Sequence, residues 1–302
     1  MKFSLWPRND RPPAHLLAEV RAAEAGGWHG VWLADHYMPN TGDTAPARGD
    51  TYECWALLPA LAAVTERIRI GTLVSPTSVH HPALLAKRAA TIDRLSGVRM
   101  ALGLGAGWQI NEHYAYGIDL EPPGKRVSRF EEAIGIVRSM LAEGSTTFHG
   151  EFYNIVDAPC DPKPVQSPLP LLVGTRGPRM LRIAVRHANE WNTWNAPDLA
   201  ERRAALLGAC ETAGRAPATM WTSVNALIEL GGSTPSPGRP AIAGTAQQLV
   251  DQLGQYAELG FDEFVLPDWN LGADSPERSD NLARIKAEVL DQLPASSPGE
   301  RG

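Results

Sequence analysis

The chain has 302 residues, 43% of them hydrophobic and 21% charged, which suits one large domain or two small ones around a full core. Its 28 basic and 34 acidic residues leave a net charge of −6. That gives no basic surplus for a nucleic-acid backbone, though a local patch can still hold one phosphate. The longest apolar run, Leu57–Val64, falls well short of the ~20 residues that span a bilayer.

Strand-like and helix-like segments alternate along the chain. Lys2–Trp6 reads as a strand, and Ala14–Ala25 as a helix stopped by Gly26-Gly27. Gly30–Asp35 is the second strand, Glu53–Thr65 the second helix and Arg69–Val74 the third strand. Pro82–Leu95 is a helix with proline at its start, where the missing N–H costs nothing. Val98–Gly105 is the fourth strand and Gly124–Leu141 a long amphipathic helix. His149-Gly150-Glu151 sits between two short strands, as in a hairpin, and the proline-rich Pro159–Pro170 is an irregular connector. Strand five is Leu171–Gly174, helix five Pro178–His187, strand six Glu190–Trp194, helix six Leu199–Ala213 and strand seven Met220–Leu230. Gly231–Gly244 reads as a flexible loop, Thr245–Leu259 as a helix capped by Thr245, Glu263–Pro267 as strand eight and Pro276–Leu293 as the last helix. Residues 294–302 read as a disordered tail.

Eight βα units without a linker or composition shift predict one domain over residues 1–293, an α/β fold of the (β/α)8 TIM-barrel type with loop insertions. The rival is an open doubly wound sheet. Its fingerprint, GxGxxG after the first strand, is absent; the GLGAG of Gly103–Gly107 follows the fourth. No leader is visible, since MKFSLWPRND turns polar early. Cys54, Cys160 and Cys210 are too scattered for a disulfide framework or a CxxC metal site. The expectation is a cytoplasmic protein with buried thiols, with neither membrane nor nucleic acid as a partner.

In such a barrel the chemistry sits where strands give way to loops. Gly174, Thr175, Arg176 and Gly177 open a helix, so free backbone N–H groups, a positive helix end and a guanidinium gather where a phosphate can bind. Gly105, Ala106 and Gly107 make a second glycine turn; the plain alternative is that both are ordinary tight turns. Asp35-His36 is the best acid–base candidate, since histidine passes protons near neutrality; the alternative is a capping Asp beside a surface His. Trp6, Trp108, Trp194 and Trp269 fall at strand ends, as flat surfaces for a planar ring or as core closing the barrel mouth. His80-His81, His113, His36 and Asp35 lack the spacing of a metal site, and no HExxH or GxSxG occurs, so neither metal catalysis nor a serine hydrolase is expected.

Together these positions resemble the bacterial luciferase-like monooxygenase superfamily, and within it the branch that uses the deazaflavin coenzyme F420. The resemblance runs through GWHGVWLADHYMP, HHPALLAKRAATIDRLSGVRMALGLGAGW, FHGEFYN, KPVQSPLPLLVGTRGP and ANEWNTW. It implies a (β/α)8 barrel with the cofactor at the C-terminal strand ends, Asp35 and His36 beside the ring with His36 as the proton-handling group, and a non-prolyl cis peptide at Leu73-Val74 behind the ring. It also implies that Gly105–Gly107 and Gly174–Gly177 hold the cofactor tail and its phosphate, and that the protein is a homodimer. Trp108 stands where sugar-phosphate dehydrogenases of the branch carry an acid, which argues against a sugar phosphate, makes the cavity more apolar and leaves His36 without its usual acidic partner. The leading reading is an F420-dependent oxidoreductase moving a hydride to or from a small, rather apolar organic molecule. The alternatives are an FMN-dependent monooxygenase that activates oxygen and a non-catalytic flavin-binding barrel.

Overall fold

The computed structural model describes residues 1–232 and 238–293. Eight parallel strands form the frame: β1 (Lys2–Trp6), β2 (Gly30–Leu33), β3 (Arg69–Thr72), β5 (Met100–Gly105), β8 (Leu171–Gly174), β9 (Glu190–Trp194), β10 (Trp221–Asn225) and β13 (Glu263–Pro267). Each pairs with its neighbour in that order, β3 pairs with β5, and β13 returns to β1 with Lys2 opposite Glu263 and Trp6 opposite Pro267. The sheet therefore closes into a barrel. The two-residue β4 (Ser75–Pro76) extends the β3 side of the wall by pairing with β5.

Helices α1 (Pro13–Ala25), α2 (Cys54–Val64), α3 (Pro82–Ser96), α5 (Pro123–Ala142), α6 (Pro178–His187), α7 (Leu199–Thr212), α8 (Ala246–Glu258) and α9 (Ser275–Glu288) wrap the strands. Local chemistry sets their ends. Proline opens α1, α3, α5 and α6, Gly97 in the left-handed conformation closes α3, and Thr245 with Gln248 forms a capping box on α8. A short α4 (Ile110–Ala115) follows β5, and β6 (Ser145–His149) pairs with β7 (Asn154–Pro159) as the expected hairpin.

Two corrections fall late in the chain. The expected seventh strand is broken at Ala226: β10 stays in the barrel, and β11 (Leu227–Leu230) leaves it to pair with β12 (Ala241–Gly244). The span Gly231–Gly244 is therefore not all loop, because its last four residues form a strand. Residues 233–237 and the expected tail 294–302 lie outside the described residues.

The core has two parts. The larger lies between strands and helices. The smaller fills the barrel from within: Trp6, Trp32, Leu73, Ala101, Leu172 and Val265, with Val74, Trp194 and Trp269 at its upper edge. The lower end is closed by charge. Arg69 pairs with Glu190, and its guanidinium lies 5.1 Å over the Trp32 ring. Glu263 receives the indole N–H groups of Trp32 and Trp221, each at 2.9 Å. Among the described residues no helix is long and apolar enough to cross a membrane.

Candidate active site at the C-terminal rim

His36, both glycine turns and the tryptophans of interest all follow the C-terminal ends of parallel strands, so the barrel brings them to one rim. His36 lies just beyond β2, with its Nδ1 2.9 Å from Glu112 Oε1. The other oxygen of Glu112 accepts the Tyr37 backbone N–H at 3.0 Å. Glu112 is fully buried on α4, whereas the His36 side chain keeps 26% exposure. The carboxylate accepts the Nδ1 proton, which leaves Nε2 with no protein partner among the described residues. Two further bonds hold α4 against this segment: Gln109 Nε2 donates to Met38 O at 2.9 Å and Asn111 Nδ2 to Pro39 O at 2.8 Å. The expectation that His36 lacks an acidic partner is thus overturned. Trp108 does occupy the first position after the turn, but one helical turn further on Glu112 reaches back to the imidazole.

Asp35 faces away from His36, as successive residues of an extended chain do. It is completely buried. Its Oδ2 accepts from Ser75 Oγ at 2.6 Å and Trp55 Nε1 at 2.9 Å, and lies 2.9 Å from His80 Nε2. Burial opposes the charge, yet the bonds from His80, Ser75 and Trp55 hold the carboxyl below its ordinary range. The Tyr37 hydroxyl, whose pKa burial pushes up, lies 3.3 Å from the same His80 nitrogen. Asp35 therefore touches the rim only through His80 and Tyr37, and braces β2 against β4.

The Leu73–Val74 peptide is cis, in the short interval between β3 and β4. Leu73 is buried in the barrel interior, and Val74 sits at its edge against the glycine turns. A Cβ on Gly105 would meet Val74 Cγ2 at 2.7 Å, so this approach of strand to side chain requires glycine. Gly107 has φ +88°, and a Cβ there would stand 2.0 Å from Ser78 Oγ. Ser78 Oγ in turn lies 2.8 Å from His113 Nε2, while His113 Nδ1 donates to Gln109 O at 2.6 Å. Arg126 Nη1 donates to Gly107 O at 2.7 Å and fixes the turn from below; Ala106 is half-buried between the two glycines.

Gly174 approaches the same valine, at 3.3 Å from a built Cβ to Val74 Cγ1. Beyond it, Thr175 N–H donates to Asn192 O at 3.1 Å, Gly177 N–H donates to Thr175 Oγ1 at 3.3 Å, and Pro178 starts α6. Arg176 is exposed at this helix start. Since β5 and β8 are adjacent, the two glycine turns form one wall.

The tryptophans do not act as one group. Trp6, Trp194 and Trp269 cluster with ring centroids 5.0–5.8 Å apart. Trp108 stands apart from them, 56% exposed and edge-on to the His36 ring at 5.5 Å. A cavity of about 510 Å³ lies at the opposite end of the barrel, between Lys2, Trp28, His29 and Lys286, and none of the predicted site residues lines it. Glu112, Gln109, Asn111 and His80 were not among the predicted site residues. The one signal for the first three is the mostly polar Gln109–His113, which follows Trp108 after a glycine turn.

A closed parallel barrel with a carboxylate–histidine pair and paired glycine turns on its C-terminal rim defines a barrel of the kind that carries its active site at the strand ends. A family model described as luciferase-like monooxygenase matches residues 1–230, and the chain belongs to that family. It is 34% identical over 179 residues to an F420-dependent glucose-6-phosphate dehydrogenase of Amycolatopsis mediterranei, a match covering 58% of this chain and 51% of that protein. The chain thus matches about half the length of that relative. It is also 31% identical over 268 residues to an uncharacterized protein of Mycobacterium bovis, covering 83% of this chain and 86% of the relative. Among solved structures, an F420-dependent secondary alcohol dehydrogenase in complex with an F420-acetone adduct superposes with a TM-score of 0.81 at 19% identity, over 95% of this chain and 98% of that one. The coenzyme F420 dependent tetrahydromethanopterin reductase of Methanopyrus kandleri gives a TM-score of 0.79 at 18% identity, over 97% and 99%. At these identities the structures establish a shared barrel fold.

Proposed function

We propose that the protein is an F420-dependent oxidoreductase that moves a hydride between the deazaflavin and a small organic substrate, with His36 handling the accompanying proton. The observation that carries this reading is the Glu112–His36 pair, placed on the same rim as the two glycine turns. The sequence relatives named for F420 favour the deazaflavin over FMN.

The rim fits such a group. Val74 with Gly105 and Gly174 offers a backing from which a Cβ at Gly105 would be excluded, so a flat ring can lie against it. The turn before the ten-residue α6 offers backbone N–H groups and the Arg176 guanidinium to a phosphate. Asp35 serves as a positioning residue through His80 rather than as a direct contact. A reduced deazaflavin supplies a hydride from one ring carbon. His36 Nε2 gives its proton to the substrate atom that becomes negative as hydride arrives, and in the reverse direction takes it back. Glu112 keeps the imidazole in the tautomer and orientation this requires, and stabilises the protonated ring. Trp108 covers the edge of the imidazole and shields the transfer from water.

Replacing His36 by Ala tests the reading. F420 affinity should stay within a few-fold, while turnover with any accepted substrate falls by about 100-fold or more, the usual contribution of a positioned acid–base group. Unchanged turnover would remove His36 from the mechanism. Unchanged turnover together with FMN as the bound cofactor would replace the reading altogether.

A further inference from the structure

One pole of the rim has no chemistry assigned so far. In the ring of strands the glycine turns of β5 and β8 stand opposite β13 and β1, whose ends carry Trp269 and Trp6. Trp194, the last residue of β9, completes the aromatic shelf. Arg239 lies just before β12, with its Cζ 4.5 Å from the centroid of the Trp269 ring. Cation–π contact of this kind orients a guanidinium without neutralising it.

The other arginines of this pole are paired. Arg11 binds both oxygens of Asp268 at 2.6 Å and also Glu19, Arg278 binds Glu19, and Arg8 binds Asp10. Among the described residues no carboxylate pairs with Arg239. Arg239 is exposed at the rim, so its stacked guanidinium stays accessible to a ligand. Asp268, next to Trp269 in the sequence, is held by Arg11. A guanidinium stacked on an apolar shelf, with no carboxylate paired to it among the described residues, forms a place that an anion would stabilise.

We infer that this pole binds the substrate through an anionic group, a carboxylate or a phosphate, paired with Arg239, while an apolar planar body lies against Trp269 and Trp194, which Trp6 supports from the barrel interior. The inference rests on the functional reading above, because it takes the glycine-turn pole as the seat of the cofactor. An acidic group in the cofactor's own tail is a second source of the same chemistry, and the experiment separates the two.

The probes are 2-naphthoate and 2-naphthamide, which share a ring system and differ in charge, titrated calorimetrically into the cofactor-free and the F420-loaded protein. The expected result is about ten-fold tighter binding of the acid, in line with a charge-assisted pair. Arg239→Gln should erase the ratio and leave F420 affinity unchanged. Arg239→Lys should restore part of it, and Trp269→Ala should weaken both probes. Equal affinities for the two probes, no binding of 2-naphthoate, or a ratio that survives Arg239→Gln would overturn the inference. A loss of F420 affinity in Arg239→Gln with naphthoate binding intact would assign the arginine to the cofactor tail and overturn it as well. Failure of the wild-type protein to bind F420 would sink the functional reading separately, since the naphthoate ratio is also read in cofactor-free protein.

Discussion

The two ends of the barrel use charge in opposite ways. At the floor Glu190 and Glu263 are buried, the half-buried Arg69 faces both, and Glu263 accepts the indole N–H groups of Trp32 and Trp221. At the mouth His36 keeps a free Nε2, Arg176 is exposed, and Arg239 is without a carboxylate partner among the described residues. A buried charge left unpaired costs several kcal/mol, so the two carboxylates of the floor depend on Arg69, which faces both. At the mouth these three groups stay open to solvent and to ligands, and the proposed function places its chemistry there. Loss of a charged group should therefore cost stability at the floor and function at the mouth.

The largest effect should come from the floor. Arg69→Ala leaves Glu190 and Glu263 buried without their cation, and should destabilise the fold by about 3–5 kcal/mol in urea unfolding. Cofactor affinity per folded molecule should be unchanged. A stable Arg69→Ala variant with impaired cofactor binding would erase the division between the two ends.

Next is Glu112→Gln at the mouth. The amide can still meet the Tyr37 N–H, but it cannot stabilise a protonated His36. The expected outcome is a fall in kcat of about 100-fold with KM and melting temperature nearly unchanged, the pattern of a group acting in the transition state. A matching rise in KM with kcat intact would make Glu112 a purely structural clamp.

Asp35 lies between these extremes, buried like the floor but wired to the mouth through His80 and Tyr37. Its folded carboxyl is held below the ordinary range despite burial. A depressed carboxyl stabilises the fold fully above its unfolded value of about 3.9, and that contribution is lost as pH falls through the lower folded value. Asp35→Asn should cost about 2 kcal/mol at neutral pH and flatten this acid limb of the urea midpoint against pH. An acid limb identical to that of the wild type would show that Asp35 carries none of it.

Much of the frame was legible before the structure. β8, α6, β9 and β13 fall on their expected residues; proline or glycine marks the ends of β8, α6 and β13, and the alternation of Trp191 with polar neighbours marks β9. The rim positions also followed, since parallel strands place all their C-terminal ends together. The losses are local. At six residues, α4 is too short to show a helical period, so the helix that carries Glu112 has no pattern to read. Barrel chemistry is expected at strand ends, and Glu112 lies beyond one, reaching His36 across 76 positions of sequence. The break at Ala226 was hidden because β10 and β11 both read as strand and a single residue separates them. The four tryptophans looked alike as strand-end residues, but only three share a cluster; Trp108 sits on the flank with His36.

The central claim is that the mouth is built for a deazaflavin. Fluorescence titration of the purified protein with coenzyme F420 and, in parallel, with FMN tests it most directly. The account predicts saturable F420 binding at least ten-fold tighter than that of FMN, weakened when Gly105 is replaced by Val. Tight binding of FMN with no saturable binding of F420 would contradict it.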